Sequence, residues 1–463
     1  MPTNSIFVQS AAPSVSPVQG YAWDELAPRP KRLRDTGLSM DHVCDLTSKH
    51  FLNWGALTLS ELADKMMLPG TVLDEALQFL RTEARIEVLG ATLDREGLRY
   101  QLTDKGRGAA LQALMRNGYV GPAPVALDDY VRLVRAQSIH ARAITKDMID
   151  ILFSDVVVDE VLKSQLGLAV NSGRAMFVYG PAGSGKTYLT AKLAKVFADT
   201  VLIPHAIAIG ESTLPIFDPI THKPLDTGVE FGDDVLSLDR GYDARYRRCE
   251  RPVVVVGGEL VDSMLDVQYN QNSKTFVAPL QLKANNGVFI IDDMGRQKVP
   301  PEAIFNRWIV PMEEKVDYLT IGSGRHFTVP FDEVLIFSTN LHPLDLADDA
   351  FLRRIGYKIE FKALTHDEYR RVWTEVCEER GVGCDPQVIE FVLNEKHGKT
   401  GTPMMACHPR DLIGIAVDYT VYSGEPMKIT EDHVDAAWRN YFVTLENTDV
   451  QSTNNVSRGN GNV

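Results

Sequence analysis

The sequence predicts an α/β fold, with a small helix-and-hairpin domain ahead of the main body and a helical segment after it. Three observations carry this prediction. Gly180-Pro181-Ala182-Gly183-Ser184-Gly185-Lys186-Thr187 follows the apolar run Ala175 to Tyr179 and opens a helix-like stretch from Lys186 to Ala198, the strand–loop–helix context of a phosphate-binding loop. A second run, Gly287-Val288-Phe289-Ile290-Ile291, reads as a buried strand and ends in Asp292-Asp293. A third, Val334-Leu335-Ile336-Phe337-Ser338-Thr339, ends in Asn340.

The loop itself implies a ligand. Its glycines let consecutive backbone N–H groups turn inward around a triphosphate, and the helix N-terminus adds its positive end. Lys186 is placed to reach the β- and γ-phosphates, and the Thr187 hydroxyl to ligate Mg²⁺. The chain is therefore expected to bind a nucleoside triphosphate.

Composition narrows the class. With 463 residues the chain has room for two or three domains, and 44% hydrophobic and 24% charged residues are ordinary for a globular protein. A net charge of −14 lacks the basic excess of a nucleic-acid footprint. The five cysteines, Cys44, Cys249, Cys377, Cys384 and Cys407, are scattered without zinc spacing, as expected of reduced thiols in the cytoplasm. Apolar stretches such as Pro252 to Val256 are too short to span a bilayer, and no signal pattern opens the chain; no membrane insertion is expected.

Residues 1–38, rich in Pro, Ser and Ala, read as a disordered tail, and its Pro30-Lys31-Arg32-Leu33-Arg34 cluster as solvated. Residues 39–118 read as a small domain. Val43, Leu46, Phe51 and Leu52 mark one helix; Ser60 to Met66, capped by Thr58/Ser60 with Glu61 behind, marks a second; Val72, Leu73, Ala76, Leu77, Phe79 and Leu80 mark a third. Ile86-Glu87-Val88 and Leu98 to Leu102 then form a hairpin about the turn Asp94-Arg95-Glu96-Gly97. Three helices and a hairpin resemble a winged helix. Its third helix carries Asp74, Glu75, Gln78, Arg81 and Glu83, and residues 41–119 hold nine Lys/Arg against eleven Asp/Glu, a balance of −2. Phosphate neutralisation is not on offer, so a protein contact or structural role ranks ahead of DNA. Residues 119–138, with Pro122 and Pro124, read as a linker; 139–361 as the α/β core; 362–445 as helical; and 446–463, full of Asn, Ser and Gly, as a second disordered tail.

Around the loop a constellation emerges. Asp292-Asp293 ends its strand in a Walker B pattern: the first Asp holds Mg²⁺ through its water shell, and the second orients the attacking water. Asp293 stands where Glu is more usual, one methylene shorter, so slow hydrolysis is one expectation. Asn340 resembles the sensor-1 residue of AAA+ ATPases. Ala350-Phe351-Leu352-Arg353-Arg354-Ile355 resembles their arginine-finger region, with Arg354 the better match to the finger and Arg353 the other candidate. Cys407-His408-Pro409-Arg410-Asp411-Leu412 resembles sensor 2, with Arg410 reaching the γ-phosphate. The five elements occur in AAA+ order over roughly residues 139–443. The resemblance implies a P-loop αβα core with a helical lid, preceded by the small winged-helix-like domain.

Two inserts refine it. Met264 to Lys283, with Tyr269-Asn270-Gln271-Asn272 and Thr275 to Leu280, reads as a hairpin interrupting a helix. Val316 to Ile321 and Arg325 to Val329 alternate about Gly322-Ser323-Gly324, a hairpin just before sensor 1. The pair resembles insertions of MoxR-like AAA+ proteins, most of them chaperone-like remodellers of protein partners. That resemblance implies ATP and Mg²⁺ as cofactors, Thr187 and Asp292 as metal ligands, an unidentified protein client, and a ring of this chain's own copies, by family analogy a hexamer. Two other readings stand beside it. One is a DNA-associated loader or initiator, suggested by the Asp-Asp pair and the winged-helix-like segment. The other is a switch that binds ATP and barely hydrolyses it because Asp293 is short.

Overall fold

The runs that read as buried strands form the centre of the molecule. The computed structural model describes residues 22–89, 98–225, 241–322 and 324–442 and divides into two units, Met1–Lys362 and Ala363–Val463. In the first unit five strands, β1 (Met176–Tyr179), β2 (Val253–Val256), β3 (Val288–Ile291), β4 (Val334–Thr339) and β5 (Tyr357–Glu360), lie in the order β2-β3-β4-β1-β5. All four pairings are parallel. Phe177, Phe289, Ile291, Leu335 and Phe337 pack on one face with Phe305 and Trp308 of the helix Pro301–Glu314. Met176, Val178, Val288, Ile290, Val334 and Ile336 pack on the other with Leu166, Leu189 and Leu193. Two covered faces explain why these strands read as unbroken apolar runs rather than as alternation. The fold is mixed α/β, as the sequence predicts.

A second apolar core belongs to a β-rich layer that was not legible in the sequence. Thr200–Pro204 pairs with Tyr246–Glu250, and Ala206–Ile209 lies between Val125–Ala126 and Ser212–Pro215. Leu202, Ile207 and Leu214 pack there with Phe276, Leu319 and Phe327, so both inserted hairpins contribute to its interior. The hairpins pair as read: Gln268–Asn270 with Thr275–Val277, and Val316–Ile321 with Arg325–Pro330. The first is flanked by short helical turns, Asp262–Leu265 and Leu280–Ala284.

The N-terminal helices are Met40–Trp54, Leu59–Met66 and Gly70–Thr82, followed by Asp104–Arg116. Thr58 and Glu61 form a reciprocal capping box: Glu61 N donates to Thr58 Oγ1 at 3.1 Å and Thr58 N to Glu61 Oε2 at 2.7 Å. A cap of this kind contributes about 1 kcal/mol. Arg99–Leu102 pairs antiparallel with both Leu57–Thr58 and Ile86–Leu89; the turn Asp94 to Gly97 lies outside the described residues. Phe79, expected on the apolar face of the third helix, is exposed.

Two segments differ from the sequence reading. Residues 22–38, placed there in a tail, include the turn of helix Trp23–Leu26 and a 3₁₀ turn, Leu33–Thr36, and bury Ala27, Leu33, Thr36 and Leu38. Residues 119–138, placed in a linker, supply Val125–Ala126 and the helix Leu127–Ala136, whose Tyr130, Leu133 and Val134 enter the second core. The Pro-rich composition that suggested free chain instead marks bends in chain held by Arg245. This arginine is buried, pairs with Asp243 at 2.8 Å, and donates to the carbonyls of Thr36 at 3.2 Å and Pro124 at 2.8 Å.

The second unit contains the helices His366–Glu379, Pro386–Phe391, Cys407–Ser423 and Glu431–Tyr441, with a short parallel ribbon of Gly383–Cys384 and Lys428–Ile429. Tyr369, Trp373, Leu412 and Trp438 fill its core. Among the described residues no helix is long and apolar enough to cross a membrane.

Removing one partner of a buried ion pair strands the other charge and typically costs about 3–5 kcal/mol. Arg245→Ala should therefore lower the urea midpoint of the first unit's transition by a matching amount. An unchanged midpoint would show that Arg245 does not hold residues 36 and 124 together.

Candidate functional site

Strand register decides which side chains meet. Ile291 of β3 is level with Phe337 of β4, and Thr339 of β4 is level with Tyr179 of β1. The loops leaving β1, β3 and β4 therefore emerge side by side at the carboxyl edge of the sheet, where the phosphate-binding loop, the acidic pair and Asn340 lie.

The loop after β1 needs its glycines. Gly180 has φ +141°, and a Cβ there would stand 2.1 Å from the Phe361 carbonyl oxygen. Gly185, at φ +90°, caps the helix Lys186–Leu193. Gly183 is also left-handed, and Ser184 Oγ donates to Pro181 O at 2.8 Å across the loop. Lys186 is buried, and its ammonium donates to the carbonyls of Gly180 and Pro181, each at 2.9 Å, and to Asn340 Oδ1 at 2.8 Å. Burial lowers its pKa from the usual lysine value, while Asp292 and Asp293 act in the opposite sense.

The acidic pair is held from both sides. Thr187 Oγ1 donates to Asp292 Oδ2 at 2.6 Å, and the backbone N–H of Asp293 donates to Asp292 Oδ1 at 2.9 Å. Asp293 sits at φ +49°, a left-handed conformation that costs an L-residue roughly 1 kcal/mol. Its Oδ1 accepts from Asn340 Nδ2 at 3.1 Å, and its Oδ2 lies 3.9 Å from the Arg296 guanidinium. Asn340 thus spends its carbonyl on the Lys186 cation and its amino group on the Asp293 anion, the amide orientation those charges dictate.

The residues fit a triphosphate with a hard dication. Thr187 and Asp292 bring a hydroxyl and a carboxylate oxygen within 2.6 Å of each other, the oxygen donors Mg²⁺ selects. Among the described residues no cluster of three or more His, Cys, Asp or Glu side chains forms a closed metal cage. Thr187 and Asp292 would hold such an ion by their oxygens, where it would offset the charge of a bound triphosphate.

Seven of the sequence-selected residues from the loop, together with Thr187, Asp292, Asp293 and Asn340, come together in this way. Arg353 and Arg354 do not. Arg354 is exposed just past the helix Asp349–Leu352, where it pairs with Glu313 and donates to Ala350 O at 2.8 Å. Arg353 is exposed and makes no ion pair among the described residues. Arg410 belongs to the second unit and lies 3.3 Å from Glu379 on the helix His366–Glu379.

Two site residues were missed in the sequence. Gln297 bonds to the turn that follows β3, with contacts described below. His342 stacks edge-on against Tyr179, ring centroids 5.4 Å apart. A polar side chain four residues past an acidic pair is an ordinary occurrence, and nothing in the pattern singled either out.

A family model described as "Domain of unknown function (DUF8689)" matches residues 365–440, within the second unit. No curated protein matches the chain. Solved structures similar to it include the Thermotoga maritima RuvB Holliday junction branch migration motor, 14% identical over 60% of this chain and 68% of that one, with a TM-score of 0.35. NtrX from Brucella abortus is 12% identical over 61% of this chain and 56% of that one, with a TM-score of 0.39. The site described above stands on its own register and distances.

Gly180→Ala should disturb the loop without touching a functional side chain. Its φ and the 2.1 Å approach to the Phe361 carbonyl predict a loss of about 1–3 kcal/mol, read as a lower thermal midpoint. A wild-type midpoint in this variant would contradict the loop geometry.

Proposed function

We propose that this chain is an AAA+ ATPase that binds ATP with Mg²⁺, hydrolyses it, and uses the cycle to remodel a protein partner in the manner of MoxR-like proteins. One observation carries the reading: Asn340 joins Lys186 to Asp293 at 2.8 and 3.1 Å, on the strand between those that bear them. A phosphate-facing cation, a water-facing carboxylate and a polar residue able to touch both are what phosphoryl transfer to water asks of a protein, since positioning and charge stabilisation do most of the work.

In this reading Lys186 pairs with the β- and γ-phosphates, exchanging two carbonyl acceptors for charged oxygens. Thr187 and Asp292 hold Mg²⁺, which neutralises charge on the triphosphate. Asp293 orients the attacking water and takes its proton, and Asn340 fixes that water against the γ-phosphate. Arg354 serves as the finger, delivered to a neighbouring copy, with Arg353 as its alternative, and Arg410 acts from the helical lid as sensor 2. The pairing of Arg354 with Glu313 gives the finger a resting partner until a triphosphate replaces it. The reading entails a ring, by analogy a hexamer, in the cytoplasm.

The N-terminal helices support a protein contact or a structural role over DNA. Their third helix offers Asp74, Glu75 and Gln78, and its start is already engaged: Leu33 N donates to Glu75 Oε1 at 3.3 Å and Thr71 Oγ1 to the Lys31 carbonyl at 3.2 Å. A winged-helix reading of this segment therefore carries no requirement for a nucleic acid.

Steady-state ATP hydrolysis tests the proposal. Lys186→Ala should remove turnover by roughly a hundredfold or more, and Asp293→Asn should retain ATP while losing hydrolysis to a similar degree. Unchanged turnover in Lys186→Ala would sink the mechanism. Activity per subunit should rise with protein concentration. Arg354→Ala should fall by about a thousandfold alone and regain partial turnover when mixed with Lys186→Ala. A concentration-independent rate from a protein that stays monomeric in saturating ATP refutes the assembly.

A further inference from the structure

Asp292 and Asp293 leave β3 on a tight turn, and the second of them is held at positive φ. Something must keep that turn from relaxing, because Asp293 could rotate its carboxylate away from Asn340 through one backbone torsion. The next residues offer little on their own. Met294 N donates to Ser338 O at 2.8 Å, and Gly295 takes φ +101°, with its missing Cβ leaving room for Leu346.

Gln297 closes the turn. Its amide nitrogen lies 3.1 Å from the carbonyl oxygen of Asp292, 3.3 Å from that of Asp293 and 3.2 Å from that of Gly257, the residue that follows β2. Its amide oxygen accepts from Gly295 N at 2.8 Å. Two N–H groups are shared among three carbonyls while the opposite end is also engaged, so both ends of the side chain are committed to backbone. Half-buried, it bonds to neither Asp carboxylate nor to Lys186.

We propose that Gln297 is a positioning residue for hydrolysis: it pins the peptide carbonyls of Asp292 and Asp293 to the end of β2, so that the Asp293 carboxylate stays aimed at Asn340 and the water site. This rests on the ATPase reading of the site. The hydrogen-bond geometry requires an amide: glutamate would set a carboxylate against three carbonyl oxygens, and a shorter side chain would not span from Gly295 N to Gly257 O. The role is also separable from phosphate binding, since none of the four contacts involves the loop after β1.

The experiment uses the full chain as Gln297→Met and Gln297→Ala, with wild type and Lys186→Ala as references. Met keeps the length and volume and removes every hydrogen bond; Ala removes both. Four quantities are read: the thermal midpoint, the affinity for a fluorescent ADP analogue with Mg²⁺, KM for ATP, and kcat. The expected result is a kcat lower by about tenfold or more in both variants, the scale of one or two lost hydrogen bonds felt only at the transition state. Nucleotide affinity and KM should stay within about threefold of wild type. A wild-type kcat in Gln297→Met overturns the inference, because shape alone then suffices. A fall in kcat matched by equal losses in nucleotide affinity, or confined to variants that are unfolded at the assay temperature, overturns it as well, because the role is then structural. If wild type shows no turnover that Lys186→Ala removes, the ATPase reading falls and takes this inference with it; Lys186-dependent turnover with a normal Gln297→Met sinks this inference alone.

Discussion

The site depends on β4 lying between β1 and β3. Neighbouring strands in a sheet stand about 5 Å apart, so the loop after β1 and the acidic turn after β3 leave the sheet roughly 10 Å from each other. Lys186 and Asp293 start from opposite ends of that gap. A residue at the end of the intervening strand reaches both, and Asn340 does so with its two amide ends, 2.8 Å to one and 3.1 Å to the other. Strand order is therefore a chemical fact about this protein as much as a topological one. Were β1 and β3 adjacent, the ammonium and the carboxylate would meet directly, and the polar residue between them would have no place.

The same arrangement settles how a lysine is kept charged where it is needed. Lys186 is buried, and burial works against its proton. Two loop carbonyls and the Asn340 oxygen satisfy its three N–H groups, while Asp292 and Asp293 supply negative charge without closing an ion pair on it. A direct salt bridge would have been a stronger partner and a worse site, since a ligand would have to break it. Neutral oxygens hold the ammonium in place and can be exchanged for phosphate at less cost.

Legibility in the sequence followed how local the signal was. The phosphate loop, the acidic pair and Asn340 each end or follow a single apolar run, and those runs are unbroken because both faces of a parallel strand are covered. The capping box at Thr58 and Glu61 and both inserted hairpins were equally local. What the sequence hid was pairing at a distance. The strands from Thr200 to Glu250 are short, and two of their pairings close only across tens of residues, Val201 with Cys249 and Ile207 with Val125, while Ile207 meets Leu214 seven residues on, across the turn Gly210-Glu211. Residues 22–38 and 119–138 looked like free chain because each carries two prolines and no sustained periodicity was read in them. They are held instead by Arg245, which sits more than a hundred positions downstream of both. Gln297 was hidden for a different reason: its contacts are to backbone carbonyls, and any residue type can supply those.

The second core changes what the two hairpins can do. As surface ornaments they would move independently. Here Phe276 of the first shares one apolar cluster with Leu319, Ile321 and Phe327 of the second, and a Cβ on Gly322 would touch the Phe276 ring at 3.5 Å. The Arg325 guanidinium packs over Gly210, 1.7 Å from where a Cβ would stand, which brings the second hairpin onto the turn between Ala206–Ile209 and Ser212–Pro215. The two hairpins thus pack as one block, which hangs between the end of β2 and the start of β4. The chain enters the first hairpin after Gly257 and leaves the second four residues before Val334. The end at Gly257 abuts the acidic turn through Gln297, whereas Val334 is level with Val288 at the opposite edge of the sheet. The exposed residues Tyr269, Val277 and Tyr318 therefore sit on a block attached to the sheet at both edges, beside the acidic turn at the carboxyl edge and beside Val288 at the amino edge.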